Sequence, residues 1–152
     1  MQTEPQKNTM ELIPLTPQTK YLVPKSKEAL GRQVVLDLYD CQTTHLDDLA
    51  WVEATMQEAA RRAKGTIVKS VFHKFSPWGI SGVVVISESH LAIHIWPEYR
   101  YAAIDIFTCS EDLGLKAAAD YLIEQFQSKK PIYGGLIRGT KAQQHSGLGL
   151  KQ

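Results

Sequence analysis

Apolar residues along this chain fall into two periods, and their order sets the expected fold. Gln33 to Tyr39 (QVVLDLY) is β-branched and apolar, which predicts a strand of a buried sheet. Leu49, Val52, Met56, Ala59, Ala60 and Ala63 then repeat at helical spacing. Thr44 is placed to N-cap that helix, with Asp47 in capping-box position, and Gly65 is placed to take the left-handed conformation beyond its end. Thr66 to Phe75 alternates as a strand does, and Ser76-Pro77-Trp78-Gly79 reads as a turn. Gly82–Ile86 (GVVVI), Leu91–Trp96 (LAIHIW) and Tyr101–Thr108 (YAAIDIFT) follow as three strands, with connectors short enough for antiparallel pairing. Ser110 is placed to cap a second helix with its apolar face on Leu115, Ala118, Ala119, Leu122 and Phe126, and a last strand is expected around Pro131–Ile137.

The order β-α-β-β-β-β-α-β predicts an α+β fold, a mostly antiparallel sheet with both helices on one face. The other face needs a cover. A second subunit is the expected cover, which predicts a homodimer with four layers, α/β/β/α. Residues 1–30 carry Pro5, Pro14, Pro17 and Pro24 among polar residues and read as a flexible arm, and 139–152 reads as a flexible tail. The domain is expected to span 31–138.

Composition changes this picture little but excludes several classes. The 152 residues suit one domain, and a formal net charge of +1 argues for neither nucleic acid nor a membrane surface as partner. No apolar run reaches membrane-spanning length, and the N-terminus has no export-signal pattern. The two cysteines, Cys41 and Cys109, are therefore expected as free thiols in the cytoplasm.

Reactive groups concentrate at Ser87-Glu88-Ser89-His90-Leu91, which the flanking strand patterns predict to be a hairpin tip, followed by His94 and Cys109. His90 and His94 have the spacing of two zinc ligands on a helix, but HLAIHIW reads as strand. At ~3.3 Å per residue their Cα atoms stand ~13 Å apart, too far to share one ion. Ser89 lacks the flanking glycines of a hydrolase nucleophile elbow. Cys109 with His94 is open as a thiol pair, without further positioning evidence. Each residue also has an ordinary structural reading: a polar turn, a sheet histidine and a small buried thiol.

A longer pattern weighs against those readings. Phe72–Pro77 (FHKFSP), Ser81–Leu91 (SGVVVISESHL), Trp96–Tyr99 (WPEY), Tyr101–Ala103 and Phe107–Cys109 together resemble the prokaryotic S-adenosylmethionine decarboxylase proenzymes, in their small, metal-independent class. The likeness covers most of 31–138. It implies self-cleavage between Glu88 and Ser89, with Ser89 becoming a covalent pyruvoyl group and no metal or pyridoxal phosphate required. It implies that His94 accepts the proton during processing, that Ser81 assists, and that Cys109 donates a proton in catalysis. Glu98 is implied to hold the substrate's ribose, and Phe75 to pack on its adenine. The substrate is then S-adenosylmethionine, decarboxylated to the aminopropyl donor for spermidine synthesis. The alternatives are a pyruvoyl-dependent arginine or ornithine decarboxylase and an uncleaved, non-catalytic homologue.

Three residues depart from that pattern: Ile95 in place of threonine, and Arg100 and Ser110 in place of glycines. In an extended stretch Arg100 shares a face with Glu98 and can pair with it. A helix beginning at Ser110 draws the Cys109 thiol toward thiolate.

Overall fold

The computed structural model describes residues 13–14, 23, 25 and 27–140. They form two helices on one face of an entirely antiparallel sheet. In chain order the elements are β1 (Ile13–Pro14), β2 (Ala29–Cys41), α1 (Leu49–Arg62), β3 (Ile67–Lys74), β4 (Ile80–Ile86), β5 (Ser89–Trp96), a 3-10 turn (Pro97–Tyr99), β6 (Tyr101–Thr108), α2 (Leu115–Phe126) and β7 (Ser128–Thr140). Across the sheet they run β1-β7-β2-β6-β5-β4-β3. The α+β order expected from periodicity is present, with β1 added where Ile13 and Pro14 pair with Gly135 and Gly134.

The central strands of the sheet have one face against the helices. Leu36 and Leu38 on β2, Leu91 and Ile93 on β5, and Ile104 and Ile106 on β6 meet Val52 and Met56 of α1 and Leu122 and Phe126 of α2, all at most 1 % exposed. Each such side chain contributes ~1.5–3 kcal/mol by leaving water, which is why the alternation decides the fold. Gly82 shows how close this packing is. A Cβ there would stand 2.0 Å from the Phe72 ring, so only glycine lets β3 and β4 share that layer.

The opposite face is bare in a single chain. Val35, Ala92 and Ala103 lie half-buried along its middle, while Tyr39, Val71, Val85, Trp96 and Ile132 are exposed.

The element boundaries correct several expectations. Asp48, not Thr44, caps α1, accepting from the Trp51 N–H at 3.1 Å. Asp47 is drawn instead to β3 and the loop after it. The left-handed residue after α1 is Lys64 (φ 64°), while Gly65 is constrained by space, its missing Cβ facing Ala60 O at 3.1 Å and Ile86 Cδ1 at 3.2 Å. Ser110 does not cap α2, which starts five residues later behind Gly114 without a side-chain cap. The intervening loop is held by Arg32, 7 % exposed, whose guanidinium donates to the carbonyls of Ser110 (2.9 Å) and Glu111 (3.1 Å). The last strand extends beyond both expected ends, through Thr140. Of the expected arm, Val23 is 2 % exposed and Ile13–Pro14 form β1; the remainder of that segment up to Pro24, and residues 141–152, lie outside the described residues.

Candidate active site

The β4–β5 hairpin closes from Ile86 to Ser89 through Ser87 and Glu88 alone. Two-residue hairpins favour positive φ at their central residues, because that twist matches the strands. Neither Ser87 nor Glu88 takes it. Ser89, the residue after the turn, sits at φ 147°, a value that L residues rarely adopt.

The Glu88 carbonyl oxygen next to that strained residue is the acceptor for three donors. The Cys109 N–H reaches it at 3.0 Å, the Thr108 hydroxyl at 3.2 Å and the Cys109 thiol at 3.4 Å. All three come from the end of β6, where Thr108 stands in register with Ser89. The Glu88 side chain is tied in the other direction, accepting from the Thr66 N–H at 3.0 Å and the Thr66 hydroxyl at 3.3 Å. The Thr66 N–H, more than its hydroxyl, holds the Glu88 carboxyl below the ordinary range. Both the carbonyl and the side chain of Glu88 are thus fixed by neighbours. Cys109 itself is exposed, and α2 begins at Leu115 and not at Ser110.

The other named residues gather elsewhere. A cavity of about 330 Å³ is lined by Phe75, Trp78, Ser81, His94, Trp96 and Glu98. Ser81 and His94 are directly opposite on β4 and β5, and Ser81 Oγ meets His94 Nδ1 at 2.8 Å. That contact fixes the ring plane. Phe75 and Trp78 stand in the loop between β3 and β4, where Gly79 takes φ 108° and its carbonyl accepts from the Phe75 N–H at 2.8 Å. Asp47 reaches that loop from ahead of α1. Its carboxylate accepts from Lys74 Nζ at 2.8 Å and from the Gly79 N–H at 3.0 Å, and the Lys74 contact holds its pKa below the ordinary value. Neither Asp47 nor Trp78 carried a sequence signal for this placement; the loop's Pro77-Trp78-Gly79 composition indicated only a turn.

Glu98 sits in the 3-10 turn. Arg100 closes that turn in the left-handed region (φ 49°), its N–H donating to the Pro97 carbonyl at 3.0 Å. The chain is therefore not extended here, and Arg100 and Glu98 do not pair. The guanidinium instead meets Asp40 Oδ1 at 2.7 Å. Ile95 points into the core at 4 % exposure, and Ser110 donates its N–H to Thr108 Oγ1.

Ser89 and His94 stand far apart within the chain. They lie on the same strand, five residues apart, which at ~3.3 Å per residue separates their Cα atoms by ~16 Å. The candidate residues fall into two groups: Glu88, Ser89, Thr108 and Cys109 at one end of β5, and Ser81, His94, Phe75 and Glu98 toward the other. Among the described residues, no three His, Cys, Asp or Glu side chains group as metal ligands; His90 stacks on Phe107 at 5.9 Å, apart from the Ser81–His94 pair.

Comparison with known proteins gives one consistent result. The family model described as S-adenosylmethionine decarboxylase matches residues 32–139. An S-adenosylmethionine decarboxylase proenzyme of Pseudomonas paraeruginosa is 54% identical over 110 residues, covering 72% of this chain and 69% of that one. One of Thermodesulfovibrio yellowstonii is 48% identical over 111 residues, covering 73% and 82%. The crystal structure of the adenosylmethionine decarboxylase from Aquifex aeolicus superimposes with a TM-score of 0.69 at 28% identity, covering 82% of this chain and 98% of that one.

Proposed function

This chain belongs to the S-adenosylmethionine decarboxylase family, and we propose that it cuts itself between Glu88 and Ser89 and then decarboxylates S-adenosylmethionine, in the cytoplasm, to the aminopropyl donor for spermidine synthesis. The observation that carries this reading is the Glu88 carbonyl oxygen under three donors, next to a serine held at φ 147°.

In processing, Ser89 Oγ adds to the Glu88 carbonyl carbon and the C–N bond to Ser89 breaks, leaving an ester and a free amine. The hairpin fixes hydroxyl and carbonyl on adjacent residues, so no encounter is needed. Loss of the Ser89 Cα proton then expels Glu88 as a carboxylate. Water converts the remaining dehydroalanine to a pyruvoyl group with release of ammonia. That group supplies an electrophilic carbonyl, which captures the substrate's α-amine and draws electrons from the breaking C–CO₂ bond. Cys109, exposed beside the Glu88–Ser89 bond, returns the proton to Cα from its thiol, which a reducing compartment keeps out of a disulfide. Glu98 accepts from the ribose hydroxyls, and the Phe75 and Trp78 faces suit adenine and the sulfonium charge. Arg100, turned to Asp40, leaves Glu98 available, which favours a nucleoside substrate over arginine or ornithine.

The functional unit in this reading is a homodimer. His94 is ~16 Å from Ser89 in its own chain, so the processing base comes from a second copy. Two sheets stacked bare face to bare face, with β5 running oppositely about a two-fold near Ala92, bring His94 of the partner subunit over Ser89. The exposed Tyr39, Val71, Val85, Trp96 and Ile132 are covered by the same contact.

The test is direct. Intact mass of purified protein should show fragments 1–88 and 89–152, and release of carbon dioxide should be measured on S-adenosylmethionine against arginine and ornithine. A folded chain that stays whole on long incubation overturns the reading.

A further inference from the structure

We propose that Thr108 is a catalytic residue of self-cleavage, its hydroxyl donating to the Glu88 carbonyl oxygen and stabilising the negative charge that collects there. This rests on the self-cleavage reading above and adds a residue to it.

The geometry singles out this hydroxyl. Thr108 is fully buried at 0 % exposure, so its proton goes to a protein acceptor. Two acceptors are in reach, Glu88 O at 3.2 Å and Ser110 O at 3.4 Å, and the shorter one is the reacting carbonyl. The Ser110 N–H donates to Thr108 Oγ1 at 2.9 Å, which occupies a lone pair and fixes the oxygen in place. The Cys109 N–H binds Glu88 O at 3.0 Å, so a backbone donor and a side-chain donor converge on one oxygen. Register with Ser89 across β5 and β6 sets that position, and a β-branched side chain holds it at few rotamers.

The charge arrives at that oxygen twice. When Ser89 Oγ bonds to the Glu88 carbonyl carbon, the C=O π pair moves onto the oxygen. It returns as the C–N bond breaks, and the proton from Ser89 Oγ ends on the freed amine. When a base then takes the Ser89 Cα proton, the Cβ–Oγ bond breaks and its electron pair leaves with the Glu88 carboxylate. That carboxylate includes the same oxygen. Donors fixed before charge develops act in both steps, and loss of one from an oxyanion site typically slows a reaction ~10²–10³-fold.

The experiment follows cleavage of freshly folded precursor by intact mass for wild type, Thr108→Val, Thr108→Ala and Thr108→Ser, with thermal melting of each. Thr108→Val and Thr108→Ala should cleave ~10²-fold more slowly while melting as cooperatively as wild type. Thr108→Ser should recover cleavage to within about tenfold. Using two hydroxyl-free variants of different size separates loss of the donor from a packing defect. Wild type that never cleaves overturns the self-cleavage reading and this inference together. Wild type that cleaves beside a Thr108→Val chain of equal rate, or beside a Thr108→Ser chain as slow as Thr108→Val, overturns this inference alone.

Discussion

The Arg100 guanidinium lies 2.7 Å from Asp40 Oδ1, and both residues hold left-handed backbone, at φ 49° and 52°. An arginine thus occupies a turn position that suits glycine, and it does so by joining the 3-10 turn before β6 to the end of β2. The Cys41 N–H donates to the Arg100 carbonyl at 3.0 Å, reinforcing the same junction.

Arg100→Gly should therefore change little. It loses an exposed ion pair, worth up to ~1 kcal/mol, and relieves a left-handed non-glycine residue costing ~1–2 kcal/mol. Melting temperature should move by only a few degrees, and kcat/KM on S-adenosylmethionine by less than about tenfold. Glu98→Gln should cost more, mainly in KM, because it replaces an acceptor facing the ribose with a donor. A larger loss from Arg100→Gly than from Glu98→Gln contradicts the placement of both side chains.

Cleavage should complement between chains. Ser89→Ala and His94→Ala should each remain whole when expressed alone. Co-expressed, a mixed dimer contains one site with both Ser89 and the partner's His94. The His94→Ala chain should then be cut and the Ser89→Ala chain should not. If the His94→Ala chain stays whole in the mixture, the shared site is wrong.

Cys109→Ala should still cleave, since the Cys109 N–H and the Thr108 hydroxyl remain on Glu88 O, but turnover should fall ~10²-fold or more. Mass and turnover of one preparation check both halves. Chelator should alter neither step.

Asp47→Asn should loosen the loop carrying Phe75 and Trp78, raising KM several-fold with kcat and cleavage nearly unchanged. The pH dependence has a definite sign. The Asp47 carboxyl has a folded pKa below its unfolded value, so its contribution is present above the unfolded pKa and is lost as pH falls through the folded one. KM of wild type should accordingly rise more on acidification below the ordinary carboxylate range than KM of Asp47→Asn does.

Periodicity made the element order legible because burial on one face requires it: QVVLDLY, GVVVI and YAAIDIFT each place alternate side chains on the helices. Helix starts were less legible. Thr44 and Ser110 are good cap residues by type, but Asp48 and Gly114 hold the positions because the preceding turns are fixed by Asp47 on Lys74 and by Arg32 on the loop after Cys109. The site divides in the same way. Ser89, Cys109, Ser81, His94, Phe75 and Glu98 were named from the pattern, and the latter four do line one cavity. Thr108 and Thr66 were not, since their roles depend on register across β5 and β6 and on a side chain reaching back 22 residues.

The five-residue spacing of Ser89 and His94 along β5 also has a kinetic meaning. If the base must come from a second copy, maturation is second order in newly made chain. Dilute precursor waits whole, with a lag that shortens as synthesis rises, and the enzyme switches on above a threshold of expression instead of appearing in proportion to it.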